Sequence, residues 1–350
     1  MANTVEEAVV EVICAEARCA PLAGRYSEVE AFAKGSFSMV LRAHDDRTGK
    51  RVVLKFLSPM ASQYRAACFV REEKVSSALV GRENVIQLTG GMEELVATLD
   101  HAPSGSKVPL RLQYFALEEA RETLTAALFG GKRPRSVHRR LERMRDVVKG
   151  VARLHRIGYC HRDLKPDNIF ICAKGVAKVA DLGTCRLHSG TDPIATNYHM
   201  PVGDLMYAAP EMFFAGGLDP TKFIGADWFS VGSMIFEAVT GQVLYVAIGL
   251  RDPKEIISRL GAVADLREYD KRVERTAGRY PIPGTNEFSE PWLSSISAST
   301  HHSISGLVRD LCNFNYRERL VGFETILRRL DIAIIRARRD QEGRRVRTVQ

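Results

Sequence analysis

The sequence predicts an α+β protein in which a small β-rich lobe precedes a larger, mainly helical lobe. Three observations carry this expectation. The chain has 350 residues, 26% charged and 45% hydrophobic, a globular composition at a length that suits two lobes of about 150 residues or more. Between Tyr26 and Glu118, short apolar runs alternate with turn residues, as strands do. After Ala120 the apolar spacing lengthens to that of helices.

The elements follow in order. Residues 1–25 read as an N-terminal extension, with a short helix over Val5–Ala17 that ends near Pro21 and Gly24. Residues 26–118 form the small lobe. Its strand runs Ser38–Ala43 and Arg51–Leu57 flank the turn Asp46-Arg47-Thr48-Gly49, a helix covers Ala61–Leu79, and further strands lie at Val85–Thr89 and Leu110–Leu117. Residues 119–335 form the larger lobe, with helices at Thr123–Phe129, Val137–Ile157 and Ala226–Thr240 and more between Ile304 and Arg338. A loop-rich section, 158–211, is punctuated by Gly, Pro, Asp and Asn. Residues 336–350 are a basic tail.

Composition excludes several classes. The longest apolar run, Val243–Leu250, has eight residues, against the roughly 18 that a membrane helix needs. The N-terminus has no basic lead, and Glu6, Glu7 and Glu11 interrupt its apolar stretch, so it does not read as a signal peptide. The expectation is a soluble, cytoplasmic protein without membrane insertion. Seven cysteines, scattered and without a C-x-x-C pair, argue against a disulfide framework or a structural zinc site. The net charge of +8 is local: Lys132–Arg145 has seven Lys/Arg against one Glu, and Arg336–Gln350 has six Arg against two acids. Such segments suit an acidic partner, but with no aromatics interleaved, nucleic acid is disfavoured against a solvated helix face and a frayed end.

The segment His161-Arg162-Asp163-Leu164-Lys165-Pro166-Asp167-Asn168 is decisive. Its five fixed letters, H-R-D-x-K-x-x-N, would arise by chance in about one such chain in 10⁴. Asp181-Leu182-Gly183 follows Asn168 by 13 residues, Ala209-Pro210-Glu211 begins 26 residues beyond Gly183, and Asp227-Trp228-Phe229-Ser230-Val231-Gly232 comes next. In order and spacing these motifs resemble the eukaryotic-type (Hanks-type) Ser/Thr protein kinase family, over roughly residues 26 to 335.

The resemblance implies a bilobal protein-kinase-like fold and an enzyme that transfers the γ-phosphate of ATP, with Mg²⁺, to Ser/Thr hydroxyls of protein substrates, autophosphorylation included. Phosphoryl transfer needs positioning and charge neutralisation more than covalent chemistry. Asp163 is then the base that accepts the hydroxyl proton, and Lys165 offsets charge on the moving phosphoryl. Asn168 and Asp181 offer the oxygen ligands a hard Mg²⁺ ion requires. Val52-Val53-Leu54-Lys55 is similar to the family's strand whose lysine meets the α/β-phosphates. Its partner is Glu72 of the following helix, with Glu73 as rival. The phosphate-covering loop maps to Ala33, Gly35, Ser38 and Val40. The adenine slot maps to Val40 and Val53 above, Phe170 below, and Leu117, Glu118 and Ala120 along the connecting strand. Glu211 and Arg319 are the family's structural ion pair.

The chain departs from the family in three places. Of the loop glycines only Gly35 remains, beside Ala33 and Ser38. Ser76 or Ser77 occupies a slot where the family packs an apolar side chain. Asp204 stands where Ser/Thr kinases carry threonine, which brings a third carboxylate near Asp163 and Lys165. The activation segment, Asp181 to Glu211, offers Ser189, Thr191, Thr196 and Tyr198, with Thr191 and Thr196 ranked first. These departures support one alternative, a pseudokinase scaffold with little transfer; the basic patch at 132–145 keeps open a second, a kinase-fold enzyme acting on a non-protein substrate, which Ala209-Pro210-Glu211 disfavours.

Overall fold

The computed structural model describes residues 2–34, 38–101, 106–130, 136–189, 202–213, 222–248 and 296–349. Gly35, Thr191, Thr196 and Tyr198 lie outside the described residues. The chain divides into two compact units, one of residues 1–82 with 86–120, the other of 83–85 with 121–350.

The first unit is built on an antiparallel sheet with strand order β1-β2-β3-β5-β4. Its strands are β1 (Tyr26–Lys34), β2 (Ser38–Asp45), β3 (Lys50–Leu57), β4 (Leu88–His101) and β5 (Ser106–Glu118). Helix α2 (Gln63–Ala78) follows β3 and opens on Ser62, whose side chain accepts the Arg65 N–H. Asp45 fixes the turn between β2 and β3. Its carboxylate accepts the Arg47 N–H at 3.1 Å and the Thr48 hydroxyl at 3.0 Å, while Gly49 takes the positive φ of +64°.

Strand alternation splits this sheet into two faces. Leu41, Val52, Leu54, Phe56, Leu112 and Tyr114 point to one face and are nearly fully buried. Covering them is helix α1 (Ala2–Cys19), which adds Val9, Ile13 and Cys14 to the same core. The residues expected as an N-terminal extension are therefore part of the unit's core. Arg25, just before β1, holds the Asp45 carboxylate through Nε (3.0 Å) and Nη2 (2.8 Å), and Asp45 has no exposed side-chain surface. The guanidinium keeps the Asp45 carboxyl well below the usual carboxylate range.

Strands β4 and β5 differ from expectation. They form one long hairpin paired from Leu88–Leu117 to His101–Ser106, because Leu95, Leu99 and Leu110 pack against the α1 core. Val85, expected in a strand, makes a single parallel bridge to Val179, and both residues belong to the second unit.

The second unit is mainly helical. It contains α3 (Leu124–Phe129), α4 (Val137–Arg156), α5 (Phe223–Thr240), the short α6 (Leu244–Ala247), α7 (Ala298–Leu311) and α8 (Phe323–Val349). Three short strands, β6 (Glu122–Thr123), β8 (Ile169–Ile171) and β9 (Ala177–Val179), make one small sheet. Strands β7 (Tyr159–Cys160) and β10 (Arg186–Leu187) make another. Helix α5 is apolar around most of its circumference and is buried accordingly. Gly232 lets it approach α7, since a Cβ there would sit 2.6 Å from the Cys312 sulfur and 2.7 Å from Leu311.

Arg140, counted by sequence within a basic cluster, is fully buried. It donates to the Ala238 carbonyl (2.9 Å) and the Leu128 carbonyl (3.4 Å), near the C-termini of α5 and α3. Burial lowers its pKa to about 10, and the negative helix ends favour the charge that remains. Residues 336–349, expected as a frayed tail, continue α8.

Candidate active site

The second unit brings the catalytic-loop residues together between β7 and β8. Asp227, 1% exposed on α5, organises them. Its carboxylate accepts the backbone N–H of His161 (2.8 Å) and of Arg162 (2.9 Å), and the ring of His155 lies 2.9 Å away. These bonds hold Arg162 at φ +71°, a left-handed conformation that an arginine adopts only under constraint. His161, fully buried, sits 2.8 Å from the Ala180 carbonyl, just before Asp181. His155, Cys160 and Asp227 form a cluster of metal-ligand type among the described residues. Asp227 already serves two backbone amides and a histidine, so this cluster braces the loop.

Asp163 emerges from that scaffold with both carboxylate oxygens engaged. Oδ1 accepts the Asp204 N–H at 2.9 Å, and Oδ2 accepts from Asn168 Nδ2 at 3.1 Å. Asn168 Nδ2 also donates to the Asp163 carbonyl at 2.7 Å. With both amide hydrogens spent, the Asn168 oxygen is the atom left to bind a cation. Lys165 Nζ stands 3.5 Å from Asp163 Oδ2 and 3.7 Å from Asp204 Oδ2. Burial pushes the Asp163 carboxyl above its ordinary value, against the pull of Lys165. Burial alone would lower the Lys165 ammonium, but the charges of Asp163 and Asp204 outweigh it and hold it high.

Asp204 reaches this position because Gly203 passes against the catalytic loop at φ +109°, where a Cβ would come within 2.6 Å of the Arg162 carbonyl. Its Oδ1 then accepts the Met206 N–H at 2.9 Å. Beyond it, Arg319 grips both oxygens of Glu211, with Nη2 at 3.0 Å, and both side chains are fully buried. Arg319 Nε and Nη2 also donate to the Asn313 carbonyl, at 3.0 and 2.9 Å.

In the first unit, Lys55 Nζ meets both oxygens of Glu72 at 2.8 and 2.7 Å. Of the two glutamates left open by sequence, Glu72 faces the lysine and is 1% exposed; Glu73 lies toward Gly91. Ser76, one turn on, is equally buried, and its hydroxyl has no partner among the described residues. Lys55 projects from the sheet face opposite α1.

A family model described as protein kinase domain matches residues 26–329. The chain belongs to the protein kinase domain family. Among curated relatives, this kinase is 27% identical over 229 residues to the Rho-associated protein kinase let-502 of Caenorhabditis briggsae and to human Rho-associated protein kinase 1. Each match covers 64% of this chain but only 17% and 15% of those proteins. It is 28% identical over 268 residues to the serine/threonine-protein kinase PknL of Mycobacterium tuberculosis, covering 74% of this chain and 62% of PknL. The kinase thus spans less than two thirds of the length of these relatives.

The residues expected around the nucleotide fall as follows. Val40, Val53 and Leu117 share the half-buried sheet face that carries Lys55, with Val40 opposite Lys55 and Val53 opposite Leu117. Ser38 is buried at the start of β2, whereas Ala33 is exposed near the end of β1. Glu118 has its N–H bonded to the Gln87 carbonyl at 2.9 Å, which takes that donor away from a ligand. Ala120 is half-buried. Phe170 is half-buried on β8, opposite Thr123. The motif beginning at Asp227 resembles the family's buried helix that anchors the catalytic loop, and its bonds to the His161 and Arg162 amides fit that expectation; sequence reasoning missed Arg25–Asp45 and the role of His155. The Asp227 motif was visible, but nothing in its spacing named the amides it would bind. Among the described residues, no helix is long and apolar enough to cross a membrane.

Proposed function

We propose that this kinase transfers the γ-phosphate of ATP to serine or threonine hydroxyls of protein substrates. The observation that carries the reading is the joint arrangement of Asp163, Lys165 and Asn168 on a loop clamped by Asp227. Asp163 orients the acceptor hydroxyl and takes its proton. Lys165 supplies positive charge where the phosphoryl oxygens gain negative charge. Lys55, steered by Glu72, binds the α- and β-phosphates.

The donor set fits Mg²⁺. Asn168 presents an amide oxygen and Asp181 a carboxylate, both hard ligands, and no soft atom joins them. When bound, the ion neutralises the β- and γ-phosphate oxygens. Asp181 is held at φ +57° at the entry to the turn Leu182–Thr184, where the backbone leaves the extended conformation of β9. A cytoplasmic site of action is supported by the cysteines, six of the seven being buried as small core side chains.

The test is transfer from labelled ATP with Mg²⁺, comparing the wild type with Asp163→Asn and Lys55→Met, followed by hydrolysis to identify the labelled residue. Label on serine or threonine that both variants lose by at least about 100-fold is expected. ATP binding without transfer would overturn the enzyme reading in favour of a scaffold.

A further inference from the structure

The first unit carries a run of charges that the transfer chemistry does not use. Strand pairing sets Glu30, Arg42, Val53 and Leu117 side by side across β1, β2, β3 and β5, on the face that carries Lys55. Arg42 therefore borders the half-buried apolar surface of Val40, Val53 and Leu117. Its guanidinium reaches past β3. Nε meets Oε1 of Glu119, just beyond the end of β5, as a charge contact rather than an aligned hydrogen bond. Nη1 lies 3.4 Å from Glu30 Oε1. The Phe32 ring of β1 covers the guanidinium, with Cζ 4.0 Å from the ring centroid, a stacking that suits a planar cation.

Arg51 extends the run, 2.8 Å from Glu30 and 3.1 Å from Glu28. Charges thus alternate through Glu28, Arg51, Glu30, Arg42 and Glu119. Side-chain exposure falls from 69% at Glu28 and 55% at Glu30 to 28% at Arg42 and 23% at Glu119. Water screens exposed pairs and leaves them little energy, so the coupling is concentrated at the Arg42–Glu119 end. The segment Glu118–Ala120 is then held from both sides. On the β4 side, Gln87 donates its N–H to Glu118 Oε1 at 2.8 Å and accepts the Glu118 N–H at 2.9 Å. On the β2 side, Arg42 holds Glu119.

We propose, resting on the ATP reading above, that Arg42 is a positioning residue for the nucleotide. Through Glu119 it sets the distance between the roof strands β1 and β2 and the segment Glu118–Ala120 that meets the adenine edge. In the strand order β1-β2-β3-β5-β4, β1 pairs only with β2, and β2 reaches β5 only through β3. The Arg42–Glu119 contact bypasses β3, and Phe32 brings β1 into the same clamp. Loss of the contact lets the roof strands shift against the adenine-binding segment, which weakens nucleotide binding while the catalytic loop, in the other unit, is unchanged.

Calorimetric titration of the full chain with a non-hydrolysable ATP analogue and Mg²⁺ reads binding without transfer. Arg42→Met and Glu119→Gln should each raise the dissociation constant about three- to tenfold. The double variant should lose no more than either alone, because both act through one contact. Arg42→Lys keeps the charge and should stay within about twofold of the wild type. In the transfer assay the two single variants should raise the KM for ATP by the same factor, with kcat and the KM of the protein substrate in place. Arg51→Met breaks the same run at its exposed end and should leave nucleotide binding unchanged. Single variants that bind as tightly as the wild type would overturn the proposal, as would additive losses in the double variant. So would an Arg51→Met loss equal to that of Arg42→Met, which marks the run as a general brace of the sheet, or a wild type that binds no nucleotide. A wild type that binds nucleotide without transferring phosphate overturns the enzyme reading alone, and the calorimetric comparison still decides the role of Arg42.

Discussion

Asp204→Asn isolates one charge at the centre of the site. The asparagine keeps an oxygen for the Met206 N–H, and the backbone N–H that serves Asp163 is untouched. Only the negative charge 3.7 Å from Lys165 Nζ is lost. At that distance a pair of unit charges is worth about 4–5 kcal/mol at an effective dielectric constant near 20. A quarter of the Lys165 side chain and a third of the Asp204 side chain are exposed, and water screening leaves about 1–2 kcal/mol of that. If Asp204 competes with the phosphoryl group for Lys165, the substitution returns that energy to the transition state and turnover rises about 5–30-fold. The assay is initial-rate phosphorylation of a peptide at saturating ATP, with the KM of each substrate measured separately. A turnover that is unchanged or lower would refute the reasoning. A raised peptide KM at constant turnover would instead make Asp204 a contact for the substrate chain.

Three further predictions concern stability. Glu211→Leu or Arg319→Met alone strands a fully buried charge and should cost about 3–5 kcal/mol in urea unfolding, whereas the double variant should lie near the wild type; additive losses would contradict this. Ser76→Ala removes a buried hydroxyl that has no partner among the described residues, and a gain of about 1 kcal/mol is expected in the same experiment. Asp45 has its pKa depressed by Arg25, so its contribution is full above the unfolded value of about 3.9 and is lost as pH falls toward the lower folded value. Arg25→Met should therefore cost about 3 kcal/mol at pH 7 and flatten the fall in stability below pH 4; an unchanged acid slope would exclude Asp45 as its source.

The candidate catalytic residues were legible because their motif is local. Asp163, Lys165 and Asn168 lie within six consecutive residues, so their spacing could be read directly, although the loop's shape depends on the Asp227 clamp. The strand pattern around Lys55 was legible for a similar reason, since alternation with period two survives in any sheet. The β4–β5 hairpin was not, because Leu95, Leu99 and Leu110 pack against the core that α1 completes, and α1 lies about 80 residues earlier in the chain. Arg140 shows the same limit. Its neighbours made it look like surface charge, and only the convergence of two helix C-termini explains its burial.

By itself, then, the sequence determined the family to which the chain belongs and named the candidates for its chemistry, because those motifs are contiguous. The tertiary structure alone decided which glutamate meets Lys55, which backbone amides Asp227 binds, and which atoms of Asp163 and Lys165 the Asp204 residue meets. It also decided which of the arginines are surface charges and which are structural. Each of these depends on distances between residues far apart in the chain, and those distances are set by how the helices and the sheet bury their apolar faces.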